Sequence, residues 1–358
     1  MIKKHAKLNK RQDRILAVLK NGMSFSIAEI LENIKSDFVD VQKITINRDV
    51  QKLIGLSFIY KTGRGRATTY RLSDHFKLIE YIDVQKYFQE ETDKRIGNEK
   101  FNFEIFSFLH TLFTEEDKKR LGELNEVYRN NIHTLSETLV KKEFERLLIE
   151  LSWKSSQIEG NTYTLLETEA LLKNNKKAKG HELEESTMIL NHKKAFDYIR
   201  SNKDVFTTMR VSDIEHVHSL LVFGLDIPRN IRNKAVGITG TKYRPLDNQF
   251  QIKEALEKAC SVVNEEKDPL VKALLASVLI AYIQPFEDGN KRTSRLIGNA
   301  MLIAHDVCPL SYRSVDEVEY KKAVILFYEQ NNVHYFKQLF IEQFEFAVKN
   351  YFKTQNVT

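Results

Sequence analysis

Residues 269–283, PLVKALLASVLIAYI, are apolar almost all the way round a helical wheel. Such a helix has no face to give to water, so it must run through the middle of a bundle and be covered on every side. The rest of the chain agrees with a mainly α fold: only 5 Pro and 13 Gly interrupt 358 residues, and Leu, Ile, Glu and Lys recur at helical spacing. This length is enough to bury a sizeable core and to form two or three units. No apolar run reaches the roughly 20 residues of a membrane span, and the segment MIKKHAKLNKRQD lacks the apolar stretch of a signal peptide. The expectation is a cytoplasmic protein with no membrane partner. Cys260 and Cys308 lie far apart in apolar, helix-like contexts, which suits core filling better than metal binding or a disulfide.

Charge is spread unevenly. Residues 1–75 carry 15 Lys and Arg against 7 Asp and Glu, a net +8 that leaves −2 for the remainder of a +6 chain. The basic excess makes this segment the candidate for a polyanionic partner, against the plainer reading of a solvated basic face. Its pattern is three short helices and a hairpin. KRQDRILAVLKN places Ile15, Leu16, Val18 and Leu19 on one side, and SFSIAEILENIK offers Ser26 as a cap with Glu29 three residues on. TINRDVQKLIGL has Ile46, Val50, Leu53 and Ile54 as its apolar face. SFIYKT and TTYRLS then flank a basic turn, GRGRA. This order resembles a winged helix-turn-helix over residues 1–75. The resemblance implies DNA contacts from Asn47, Arg48, Gln51 and Lys52 on the third helix, and from Lys61, Arg64 and Arg66 on the wing. Winged domains also serve as protein-docking modules, which stays open here. Residues 76–145 read as a charged, aromatic, helical linker in which Gly97 and Asn98 break two helices.

The chemistry gathers after the apolar helix, in QPFEDGNKRTSRLIGNAM. Gly289 lets the backbone turn tightly, so that the free N–H groups opening the next helix point at an anion. Arg292 and Arg295 share a face near that end and can grip phosphates bidentately. Asp288 is a hard oxygen ligand suited to Mg²⁺ held between phosphates, and Phe286 is expected to turn inward and pin the loop. Any one of these features would fit an ordinary surface turn; their joint spacing does not.

QPFEDGNKRTSR is similar to the Fic motif, His-x-Phe-x-(Asp/Glu)-Gly-Asn-(Gly/Lys)-Arg-x-x-Arg, and matches it at Phe286, Asp288, Gly289, Asn290, Lys291, Arg292 and Arg295. The resemblance implies a Fic-type helical bundle over residues 146–345, followed by a tail at 346–358. It also implies AMP transfer from ATP, with Mg²⁺, to a Ser, Thr or Tyr hydroxyl of a protein, which could be the chain itself. By it Asp288 would hold Mg²⁺, Gly289 and Asn290 would form the anion hole, and Lys291, Arg292 and Arg295 would surround the phosphates. SSQIEGNTYT is similar to the inhibitory motif of the family at Ser155, Glu159 and Gly160, which implies a Glu159–Arg295 pair that keeps the nucleotide from seating productively. VGITGTKYRPL resembles the family's flap, a β-hairpin that receives the target, with Gly237, Gly240, Tyr243 and Arg244 in it. A second copy of the chain is a further candidate partner.

The match departs at Gln284, where the family has the histidine that takes the proton from the attacking hydroxyl. An amide has no basicity at neutral pH, so its presence predicts a loss on the order of 10²- to 10⁴-fold while nucleotide binding survives. Three readings follow: a chain that binds nucleotide as a signal, a His-to-Gln exchange, or another base among His181, His192, His216, His218 and His305. The competing function is a DNA-binding regulator that senses nucleotide without transferring it.

Overall fold

The all-round apolar stretch forms a central helix running Pro269–Ile283, with every residue from Leu270 to Ile283 buried. Asp268 caps it by accepting from the Leu270 N–H, and Pro269 sits at the first turn, where its missing donor costs nothing. Its one charge, Lys272, is buried and donates to the carbonyls of Val263 and Asn264 at 3.0 and 3.3 Å. A lysine inside an apolar helix is thus tolerated because it closes the end of a neighbouring one.

The computed structural model describes residues 8–20, 23–38 and 40–353, so parts of the expected N-terminal unit (1–7) and tail (354–358) lie outside it. In chain order the helices are α1 Lys10–Leu19, α2 Ile27–Ile34, α3 Lys43–Gly55, α4 Asp74–Ile79, α5 Val84–Tyr87, α6 Glu115–Thr134, α7 Glu137–Gln157 and α8 Leu165–Asn174. They continue as α9 Leu183–Ser201, α10 Val211–Leu221, α11 Gln249–Glu265, α12 Pro269–Ile283, α13 Asn290–Ala304, α14 Glu317–Gln330 and α15 His334–Asn350. β1 Ile59–Thr62 and β2 Thr69–Leu72 pair antiparallel, with Ile59 opposite Leu72. Helices α11, α13, α14 and α15 surround α12. Gly298 of α13 makes the closest of these approaches possible, since a Cβ there would overlap the Ser277 hydroxyl of α12.

In the N-terminal unit Ile15, Leu16, Ile46, Val50 and Leu53 are buried together, and Ser26 and Glu29 form the capping box. Asp49 of α3 is buried and accepts from Gln12 at 2.8 Å and from Arg11, which ties α1 to α3. α4, which leads out of the unit, is seated on the turn between α14 and α15, where Val333 N–H donates to Leu78 O at 2.7 Å and the Asn332 amide donates to Lys77 O and Glu80 O at 2.7 and 2.8 Å.

Two local expectations are corrected. Helix does not continue from α5 to α6: residues 88–113 run as a mostly irregular strap with one 3₁₀ segment, Phe103–Ser107. Gly97 breaks no helix there; a Cβ on it would come within 2.8 Å of the Glu329 backbone carbonyl and Cβ, so glycine lets the strap lie against α14. At the chain's other end α15 runs through the expected 345/346 boundary, and Tyr351 and Phe352 are buried in the core.

Candidate active site

The site is built on the exit from α12. Gln284 leaves the helix in the left-handed region at φ 51, and Pro285 follows with no N–H to offer. The carbonyls at this end therefore need partners from elsewhere. Ala281 O accepts from the Gln284 side-chain amide at 2.6 Å and from the Tyr328 hydroxyl at 2.7 Å. Tyr282 O accepts from the Tyr243 hydroxyl at 2.9 Å. Gln284 O accepts from Arg232 Nε at 2.7 Å, and Pro285 O from the Arg232 N–H at 3.0 Å. The Gln284 amide also donates to Tyr328 Oη at 3.2 Å.

The loop that follows is stapled by Asn290, whose side-chain oxygen accepts from Phe286 N–H and whose amide donates to Phe286 O, both at 2.8 Å. Phe286 is fully buried, as its apolar ring requires, and stacks on His218 with ring centres 3.6 Å apart. Gly289 caps α13 at φ 79 without a side-chain cap, so the first N–H groups of α13 are free to meet an anion. They open on a cavity of about 490 Å³ lined by Gln284, Glu287, Asp288, Gly289, Asn290 and Lys291, with Glu159 and Gly160 on one side, Val236–Thr239 on another, and Lys321 and Tyr328 from α14.

The two arginines are buried and differently engaged. Arg292 donates to Asp288 at 3.1 Å while its Nε and Nη1 have no protein partner. Burial lowers its pKa, with Asp288 and Glu159 opposing. Arg295 donates to Glu159 at 2.9 Å, and to the Ser155 hydroxyl and carbonyl at 2.9 Å each. Glu159 stands in the turn after α7, with Gly160 at φ 98 redirecting the chain. Burial pushes the Glu159 carboxyl up, but Arg295 and then Lys291, at 3.4 Å, outweigh it and hold it below the ordinary carboxylate range. Behind this pair the Ser155 hydroxyl lies 2.8 Å from His192 Nε2. His192 is fully buried, and desolvation, aided by both arginines, keeps it neutral.

Several expected residues sit elsewhere. Residues 231–248 form no hairpin, since their one β-bridge pairs Arg244 with Lys100 of the strap, so the expected flap is an open loop. Its limbs are spent on different neighbours: Arg232 on the carbonyls of Gln284 and Pro285, and Arg244 N–H on Glu99 O at 2.9 Å in the strap. Gly237 lines the cavity; Gly240 turns at φ 84, Tyr243 is buried as an anchor, and Arg244 is exposed. None of His181, His192, His216, His218 and His305 lines the cavity. His218 is held behind the loop against Asp288 O at 3.0 Å, and burial pulls its pKa down to about 4. Tyr328 does reach the cavity, but burial keeps its phenol protonated far above neutrality. Asp288 is exposed, and among the described residues no group of three His, Cys, Asp or Glu is placed to hold a metal. Arg48, Gln51, Lys52, Lys61, Arg64 and Arg66 are exposed on the N-terminal unit, Asn47 is half-buried, and none lines the cavity. Sequence reasoning missed Arg232, Lys321 and Tyr328; Tyr328 reads as ordinary core in VILFYEQ, and Arg232 carries no local signal at all.

Residues 182–302 match the Fic/DOC family. The chain is 27% identical over 195 residues to the Protein adenylyltransferase Fic of Nematostella vectensis, covering 51% of this chain and 43% of that protein. It is 21% identical over 210 residues to the Protein adenylyltransferase fic-1 of Caenorhabditis elegans, covering 57% of this chain and 41% of that one. These matches thus span about two fifths of the length of the curated relatives. Among solved structures, Fic-1 from C. elegans superposes with a TM-score of 0.57 at 17% identity, covering 96% of this chain and 97% of that chain. A Fic family protein from Desulfovibrio desulfuricans G20 gives 0.54 at 21% identity, over 66% of this chain and 74% of that chain. No helix among the described residues is long and apolar enough to cross a membrane. The matched segment contains α12, the loop and nearly all of α13, and it is over residues 182–302 that this chain is similar to the Fic/DOC family.

Proposed function

We propose that this chain binds ATP in the cavity over α13 and is built to transfer AMP to a protein hydroxyl, with Glu159 restraining it and Gln284 slowing it. The observation that carries the reading is the opening of the first turn of α13 and Lys291 on one cavity, with Arg292 and Arg295 following in the same helix and keeping buried nitrogens without a hydrogen-bond partner. Unpartnered buried guanidinium groups are costly, and phosphate oxygens would satisfy them. Asp288 fits Mg²⁺ only as a site completed by phosphate oxygens, since it is a single carboxylate; there the ion would neutralise phosphate charge. Arg295 is the group a terminal phosphate would claim, and Glu159 already holds it. Gln284 can orient an acceptor hydroxyl but leaves its proton in place.

The test is ATP binding by calorimetry. The chain as it stands is expected to bind, and Arg292→Ala to weaken binding by about 1.5–3 kcal/mol, the worth of a charge-assisted hydrogen bond. Equal affinity in both proteins would remove the nucleotide from this cavity.

A second reading rests on the N-terminal unit, whose exposed Arg48, Gln51, Lys52, Arg64 and Arg66 support a winged helix-turn-helix on DNA. The full chain is expected to shift a DNA duplex at low salt, and each of Arg48→Ala and Arg64→Ala to reduce the slope of log K against log salt by about 1. No shift at low salt would end this reading.

A further inference from the structure

The strap meets the loop beside the site most closely at Arg95. Arg95 is buried and makes a two-point pair with Glu329 at the end of α14, Nε to Oε2 and Nη2 to Oε1, both at 3.0 Å. The same Nη2 donates to the carbonyl of Gly240, and Nη1 reaches Glu90 O at 3.4 Å. Glu329 is itself fixed, since its Oε2 accepts from the Tyr87 hydroxyl at 2.6 Å and its backbone carbonyl accepts from Asn98 N–H at 2.6 Å. Lys242, two residues past Gly240, donates to Asp93 O at 3.4 Å, and Arg244 N–H is held by Glu99 O. Apart from Tyr243, which is anchored on α12 through Tyr282 O, the 240–244 loop is attached to the strap through Gly240, Lys242 and Arg244, while its neighbours Val236–Thr239 form a wall of the cavity.

We infer that Arg95 is a positioning residue for this loop: by holding the Gly240 carbonyl against the end of α14, it sets the 236–239 wall past which an acceptor hydroxyl must enter, without contributing to the phosphate cradle. The inference rests on the proposed transfer for its consequence, but the contact itself can be tested apart from it. Because Tyr328, next to Glu329, touches Gln284, the strap, the entrance wall and the reacting position share one turn of α14. Because α4 is seated on the turn after α14, the N-terminal unit and the entrance wall are anchored to the same few residues.

The experiment is hydrogen exchange by mass spectrometry on the full chain, with Arg95→Met, Arg95→Lys and the unchanged protein, alongside the rate of tryptic cleavage after Lys242. Arg95→Met is expected to speed exchange over residues 236–242 by about tenfold and to expose Lys242 to trypsin, with exchange in α12 and α13 unchanged. Arg95→Lys should fall between the two, because it keeps the charge and loses the second hydrogen bond. ATP affinity should stay within about twofold in all three, since a residue remote from the cradle adds nothing to it. Unchanged exchange at 236–242 in Arg95→Met overturns the inference, as does acceleration that spreads equally to α12, which would make Arg95 a general stabiliser. If ATP binds to none of the proteins, the nucleotide reading fails while the exchange result still decides the role of Arg95.

Discussion

With Gln284 replaced by His, transfer of α-³²P label from ATP to protein is expected to rise by about 10²- to 10⁴-fold, the usual contribution of a positioned base. The backbone at 284 sits at φ 51, a region in which His is among the better tolerated residues, so the exchange needs no new turn. Nor does the loop depend on the side chain, because Arg232 holds the carbonyls of residues 284 and 285 from outside. An imidazole can donate one N–H to the Tyr328 hydroxyl that the Gln284 amide now reaches at 3.2 Å, leaving its other nitrogen as the proton acceptor. His218 and His192 cannot substitute, one being stacked behind the loop and the other buried behind Ser155. If ATP binds but neither protein transfers label, the transferase reading fails and nucleotide-responsive DNA binding takes its place.

The second large effect belongs to Glu159. Glu159→Gly in the Gln284→His background is expected to raise label transfer further and to lower stability by about 2–3 kcal/mol, less than a fully buried pair would cost, because the carboxylate is 19% exposed while Arg295 is not. The glycine breaks no helix, since residue 159 lies in the turn after α7. Arg295 would keep both bonds to Ser155 and gain freedom to take a phosphate. The stability loss is itself pH-dependent. Arg295 and Lys291 hold the Glu159 carboxyl below its ordinary value of 4.5, so its contribution is fully present above that pH and is lost as pH falls through the depressed folded value. Denaturation midpoints of the two proteins should differ by a constant amount at neutral pH and converge in acid. A gap that stays constant down to pH 2, or transfer that falls on removing Glu159, would show that the pair has no restraining role.

How much of this was legible beforehand follows the range of the interactions. The all-round apolar composition of 269–283 and the Ser26–Glu29 cap are local patterns, and α12 and α2 appear where those patterns put them. The inward turn of Phe286 and the open first turn of α13 were also readable, because Gly289, Asn290 and the helix start lie within a few residues of one another. The hairpin expected near 240 failed because two glycines and an outgoing Tyr–Arg pair read the same whether the limbs pair with each other or with something distant. Here Arg232 reaches the loop after α12 and Arg244 reaches the strap, contacts separated by 52 and by 145 residues from their partners. The strap was misread as helix for the same reason, since what holds it is Glu329, more than 200 residues away.

The exit of α12 has a consequence for how such a protein can change over time. Every carbonyl described there is satisfied by a residue other than the one that would perform the chemistry, apart from one bond that Gln284 shares with Tyr328. The shape of the loop and the reactivity of position 284 are therefore independent properties. A single codon change would silence or restore the proposed transfer while leaving folding, and the cavity that would receive a nucleotide, untouched. On that reading, a population of such chains would keep a dormant enzyme intact for as long as the cavity itself remains useful.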